Sequence, residues 1–210
     1  DYVINIGSSL KDRTVVNFEG IKILDNQIKS DDTSIYLVEF SNISFESKDS
    51  SPFIIGNFEL LNNDITSTGN YGLYLFDWTE VGHSLKDEAS ATLGDFMFND
   101  NVIHSRNYYG IYVYDWTEWG SYLHGDSSVT MGNIQFNDNT IEAPSNYGIY
   151  ITDISYMGYQ MNSLDAGASS FSMKNCEINR NNIISGDDGL YLDNYEYWGS
   201  RMYNDSHASF

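Results

Sequence analysis

Hydrophobic positions along this 210-residue chain follow one pattern that returns about every 38 residues. An isoleucine anchors each copy, at Ile28, Ile65, Ile103, Ile141 and Ile183. Five residues earlier stands Ile23, Leu60, Phe98, Phe136 or Ile178, and seven earlier Ile21, Phe58, Phe96, Ile134 or Cys176. Ten earlier stands Phe18, Ile55, Leu93, Met131 or Met173, and twelve earlier Val16, Phe53, Ala91, Val129 or Phe171. This is the period-two alternation of a strand, interrupted by a bulge-like step. A glycine stands at the interruption in three copies, Gly56, Gly94 and Gly132, as a kink requires.

A second strand follows each anchor after a short polar turn. Its aliphatic pairs are Ile35 and Leu37, Leu73 and Leu75, Ile111 and Val113, Ile149 and Ile151, and Leu190 and Leu192. Between the members of each pair sits Tyr36, Tyr74, Tyr112, Tyr150 or Tyr191. Alternation puts the aliphatics on one face and the tyrosines on the other. The connections are rich in Ser, Asn, Asp and Gly, residues that cap their own backbone and tolerate positive φ. Each copy therefore reads as two long β-arms joined by two turns. One such coil cannot bury its apolar face alone, but stacked coils bury a continuous core, with equivalent residues about 4.8 Å apart.

The predicted fold is all-β, a single parallel β-solenoid (a β-helix or stacked β-arch) over residues 1–210. It has about five coils and no helical caps. No stretch holds a 3.6-residue period for three turns, and a propeller blade would need four short strands. An asparagine two residues before each anchor forms a predicted ladder: Asn26, Asn63, Asn101, Asn139 and Asn181.

The segment Ile6–Asp12 matches Val81–Asp87, two periods on, so the sequence opens inside a second arm. Phe210 matches Phe18, Leu93 and Met131, so it closes inside a first arm, leaving a partial coil at each end. Solenoid ends without polar caps are templates for another chain. The first residue, Asp1, is not Met, which fits a processed or excised product.

Composition narrows the partners. A net charge of −20 excludes a basic nucleic-acid face, and no apolar run is long enough to span a membrane. The acidity fits an extracellular or saline setting and cation association, or plain solubility. The single cysteine, Cys176, occupies an inward ladder position, so buried packing is expected, with an intermolecular disulfide as the alternative.

The best candidate for a cation site is a column of Glu39, Asp77, Asp115 and Asp153, with calcium as the candidate ion. Carboxylates stacked at coil spacing repel by roughly 1 kcal/mol per neighbour in water, which a calcium ion would relieve. A solvated acidic face is the plainer reading. The tyrosine column is the second candidate, beside the columns Phe40, Trp78, Trp116, Ile154, Tyr195 and Ile43, Val81, Trp119, Met157, Trp198. Three stripes exceed what a two-armed core needs, so at least one is expected to face another chain or a sugar. His83, His104, His124 and His207 fall in turn regions and do not recur in register, which makes them surface residues. Arg106, Arg180 and Arg201 are isolated, and no nucleophile elbow, zinc-protease or nucleotide-binding motif is present. Asn42-Ile43-Ser44 and Asn204-Asp205-Ser206 match the glycosylation acceptor pattern.

The succession Asn-x-Ile, a polar turn, then Gly-(Ile/Leu)-Tyr-(Val/Leu/Ile) resembles right-handed parallel β-helix repeats. In particular it is similar to the acidic, Asn- and Tyr-rich repeats of surface proteins of methanogenic archaea, namely adhesin-like proteins and subunits of tubular cell sheaths. The coils exceed the roughly 20–30 residues usual for such repeats. Two long arms suit a flattened stack. The resemblance therefore implies an extracellular structural protein of a sheath or surface layer, non-enzymatic, whose chief partner is itself, head-to-tail and laterally. The alternatives are a cell-surface adhesin segment binding a glycan or protein, and a carbohydrate-active β-helix enzyme.

Overall fold

A computed structural model of the chain describes residues 9–11, 13–41, 43, 46–161, 168–203 and 206–210. Among these residues there is no helix, and every strand pair is parallel. The chain winds as a β-solenoid whose coils present four large sheets in succession, beside a two-stranded pair of Ser9–Leu10 with Glu46–Ser47. The first sheet stacks Val16–Phe18, Pro52–Ile55, Ser90–Leu93, Ser128–Met131, Ser170–Met173 and His207–Ser209. The second stacks Ile21–Leu24, Phe58–Leu61, Phe96–Asn99, Ile134–Gln135 and Cys176–Glu177. The third stacks Gln27–Ser30, Asp64–Ser67, Val102–Ser105, Thr140–Ala143 and Asn182–Ser185. The fourth and widest stacks Ile35–Val38, Leu73–Thr79, Ile111–Thr117, Ile149–Ser155 and Leu190–Glu196.

The register is the one the repeat predicts. Ile28, Ile65, Ile103, Ile141 and Ile183 pair in one column. Leu10 pairs with Ser47, and Ser47 with Leu85, which carries the match between the opening segment and residues 81–87 across two coils.

The first arm, however, is three short strands rather than one long strand. One corner follows Asp25, Asn62, Asp100, Asp138 or Arg180, each in the left-handed region with φ between 53° and 58°. In four of the five copies a short Asp or Asn there turns the chain immediately before the ladder asparagine. The other corner holds Gly56, Gly94 and Gly132. They are glycines because of close approach: a Cβ on Gly56 would stand 2.1 Å from the carbonyl oxygen of Glu19 in the previous coil.

The fourth sheet carries a bulge at the acidic column. Leu73 and Leu75 point inward and Tyr74 outward, so simple alternation would bring Asp77 in. Asp77 instead takes φ 56°, and the inward position passes to Trp78, which is 1% exposed. The shift recurs at Asp115 with Trp116 and at Asp153 with Ile154. The core thereby acquires stacked indoles, Trp78 on Trp116 at 5.0 Å and 11° between planes, which meet Phe58 and Phe96 at 5.3–6.3 Å, while Phe98 stacks on Phe136 at 4.8 Å and 9°. Such pairs add about 0.5–1.5 kcal/mol each beyond area burial.

Candidate functional site

The predicted asparagine column forms a hydrogen-bonded ladder along the solenoid axis. The main-chain N–H groups of Asn26, Asn63, Asn101 and Asn139 donate to Oδ1 of Asn63, Asn101, Asn139 and Asn181 at 2.9–3.0 Å. Each side-chain amide also donates to a backbone carbonyl: Asn101 Nδ2 to Leu60 O (2.9 Å), Asn139 Nδ2 to Phe98 O (2.8 Å) and Asn181 Nδ2 to Phe136 O (2.6 Å). Asn63, Asn101 and Asn139 are buried, so the ladder satisfies polar groups that would otherwise be stranded at the corner. A second column of this kind escaped the sequence reading. Asn57 Oδ1 accepts from the N–H of Asp95, and Asp95 Oδ1 from the N–H of Asn133 (3.0 and 2.7 Å). Its signal was weak because the residue type alternates between Asn and Asp.

The tyrosine column lies on the outer side of the fourth sheet. Tyr74, Tyr112 and Tyr150 stack at 5.1 Å with planes within 7° of parallel. Tyr36 begins the column, exposed on its outer side, and Tyr191 lies beyond Tyr150 at 5.1 Å, edge-on. Tyr71, Tyr109 and Tyr147 pack beside it from the preceding turns, and Phe76 stacks on Tyr114 at 5.3 Å. Crowding among neutral rings raises the phenol pKa values. Partial burial, followed by the neighbouring phenols, pushes Tyr74 and Tyr109 up to about 12 and also raises Tyr112. At neutral pH the array is an uncharged surface of ring edges and hydroxyls.

The other two aromatic stripes do not reach the surface as stripes. Phe40, Trp78, Trp116 and Ile154 are buried, and so are Ile43, Val81, Trp119 and Met157. Only the members in the last coil, Tyr195 and Trp198, are even partly open. The left-handed residue ahead of each indole is the reason. Of the three stripes, the tyrosine one remains for an outside partner.

The acidic residues do form a column, but its members are selected by conformation. Glu39, Asp77, Asp115 and Asp153 all have φ of 55–60°. Thr79 donates to Asp77 (3.3 Å), Thr117 to Asp115 (3.4 Å) and Asn194 to Asp153. The Asp115 carboxyl is raised above the usual range, by burial first and by Asp77 next. Among the described residues no group of three or more His, Cys, Asp or Glu side chains is arranged to hold a metal ion.

Cys176 takes its expected register opposite Ile134 but is exposed, not buried. It lies in the last strand of the second sheet, where no further strand covers it. His104 and His207 lie in strands rather than turns. His104 Nδ1 is 2.8 Å from Glu142 Oε2 in the next coil, and His83 Nε2 is 3.3 Å from Glu118 Oε2. Arg180 forks onto Asp138 at 2.6 and 2.7 Å, and Arg201 lies over the Tyr159 ring at 5.2 Å. The acceptor asparagines Asn42 and Asn204 lie outside the described residues, as does most of the opening segment. No helix of the described residues is long and apolar enough to cross a membrane.

No protein-family model matches the chain, and searches of curated proteins and of solved structures return no match.

Proposed function

We propose that this chain is a structural protein of an extracellular sheath or surface layer, assembled by stacking one solenoid on another. One observation carries the reading. The inward positions of the fourth sheet are wholly buried in the middle coils, at 0% for Leu73, Leu75, Ile111 and Val113, yet Leu190 and Leu192 in its edge strand are 41% and 49% exposed. That edge offers open backbone groups and apolar side chains in a register that accepts another coil of the same kind. Such a coil can come from further repeats of the same chain or, at the end of the array, from a second copy. Head-to-tail contact of this sort closes into a ring or grows a filament. The asparagine ladder supports the same reading, because each rung leaves an amide ready for the next. The resemblance to repeats of methanogen sheath subunits agrees with it, and the reading gives the chain no catalytic role.

Sedimentation and electron microscopy test this directly. The protein should form filaments, hoops or sheets, and Leu192→Lys should give dispersed particles with unchanged circular dichroism. A wild-type chain that sediments as a stable monomer at neutral pH and moderate salt overturns the proposal. A second reading, a surface adhesin segment, draws on the tyrosine array, whose ring edges and hydroxyls suit a sugar or protein partner. Binding on a glycan array that persists in the Leu192→Lys protein would favour it.

A further inference from the structure

A cavity of about 240 Å³ opens on the outer side of the third sheet, where that sheet meets the turn leading to the fourth. It spans three coils. Thr66, His104 and Glu142 form one wall, and Thr68, Arg106 and Pro144 the other. Its floor is rigid, because Ser67 and Ser105 are buried with their hydroxyls bonded to the carbonyl oxygens of Asp32 and Asn70. We infer that this cavity binds a hexuronate residue, a sugar ring bearing one carboxylate, as the free acid or within a glycan.

The lining supports that chemistry in four ways. Drug-sized ligands occupy about 300–1,000 Å³, so this volume suits a single sugar ring. The guanidinium of Arg106 is exposed, and among the described residues no carboxylate pairs with it, whereas Lys22 and Arg180 are both paired. A planar fork left open is suited to two parallel bonds to a ligand carboxylate. Glu142 is held by His104 at 2.8 Å, which fixes both side chains as a donor and acceptor pair for ring hydroxyls. Thr66 and Thr68 add hydroxyl groups, and Pro144 adds an apolar ring against which the C–H face of a sugar can lie. Thr68 also holds Asp31 at 3.3 Å. Asp31 stands two coils from Arg106, so the ligand carboxylate must lie at the Arg106 end.

This inference is independent of polymerisation, since the cavity lies on a side of the solenoid and not at its edge. The test is calorimetric titration of the intact chain, with saturation-transfer NMR, using glucuronic acid and methyl glucuronide. Glucose serves as the uncharged control and propionate as the carboxylate without a ring. Saturable binding of either glucuronate is expected, weakened about tenfold or more for glucose and for propionate, and by a similar factor in Arg106→Gln. Binding of methyl glucuronide identifies a glycan-linked residue as the ligand, and binding of the free acid alone identifies the free sugar. Arg106→Gln should keep its circular dichroism and thermal midpoint, because the side chain has no partner to lose. The inference is overturned by absence of saturable binding, by propionate binding as well as glucuronate, or by an unchanged affinity in Arg106→Gln.

Discussion

Replacing Asn101 by leucine tests the ladder most directly, because the two side chains are of similar size and differ in polarity. Asn101 is 1% exposed. Its Oδ1 accepts from the main-chain N–H of Asn63 (3.0 Å) and from Asn63 Nδ2 (3.1 Å). Its Nδ2 donates to Leu60 O (2.9 Å) and to Asn139 Oδ1 (3.1 Å). Leucine removes all of these bonds, but their loss is not uniform. Asn63 Nδ2 keeps Ile23 O and Leu61 O (2.9 and 3.0 Å), and Asn139 Oδ1 keeps the N–H of residue 101 (3.0 Å). The N–H of Asn63, in a residue 1% exposed, is left with no acceptor. A stranded buried donor costs about 1–3 kcal/mol and the remaining bonds somewhat less, and the added apolar surface offsets part of that. The expected loss is about 2–3 kcal/mol. Asn26→Leu is the control. That residue is exposed and its side chain donates to Leu24 O and Asn63 Oδ1, so under about 1 kcal/mol should be lost. Urea melts followed by the buried fluorophores Trp78, Trp116 and Trp119 measure both. Asn101→Asp should be worse than leucine at neutral pH, since carboxylate oxygens would face Leu60 O and Asn139 Oδ1, and should recover in acid as the neutral form regains a donor. Equal costs at positions 26 and 101 would refute the claim that the ladder is a cooperative, buried element.

Other consequences can be measured in the same way. Trp119 Nε1 donates to Trp78 O at 2.6 Å, whereas Trp116 Nε1 is buried with no partner among the described residues, so Trp119→Phe should cost about 1 kcal/mol more than Trp116→Phe in urea melts. Gly110→Ala should destabilise by about 3 kcal/mol in the same assay, because its Cβ would stand 2.3 Å from Ile141 Cγ2 and 2.7 Å from Gly148 O. The tyrosine array makes the fold sensitive to alkali. Its phenols titrate higher folded than unfolded, so the unfolded chain releases protons first, and stability should hold up to about pH 10 and fall above it. Absorbance at the phenolate band should show Tyr74 and Tyr109 titrating near pH 12, and Tyr74→Phe should reduce the alkaline loss.

Much of this architecture was legible along the chain. The period, the column of anchoring isoleucines, the inward asparagines and the outward tyrosines all follow from alternation repeated in equivalent copies. A solenoid brings into contact residues one period apart, so a conserved spacing is already a contact map. Legibility ended where the backbone leaves the extended region. Asp25 and its equivalents at φ near 57°, together with the glycine corner, break the first arm into three strands, and alternation alone cannot distinguish a corner from a bulge. Asp77 and its equivalents pass the inward position to the next residue, which sends two of three aromatic stripes into the core. Contacts that do not repeat were equally hidden. His104, Glu142 and Arg106 meet because coils stack, yet their columns hold a different residue in every copy, so periodicity gives no signal for them. Cys176 shows the same limit at an edge: its register follows from the repeat, but its burial depends on whether another strand lies above it.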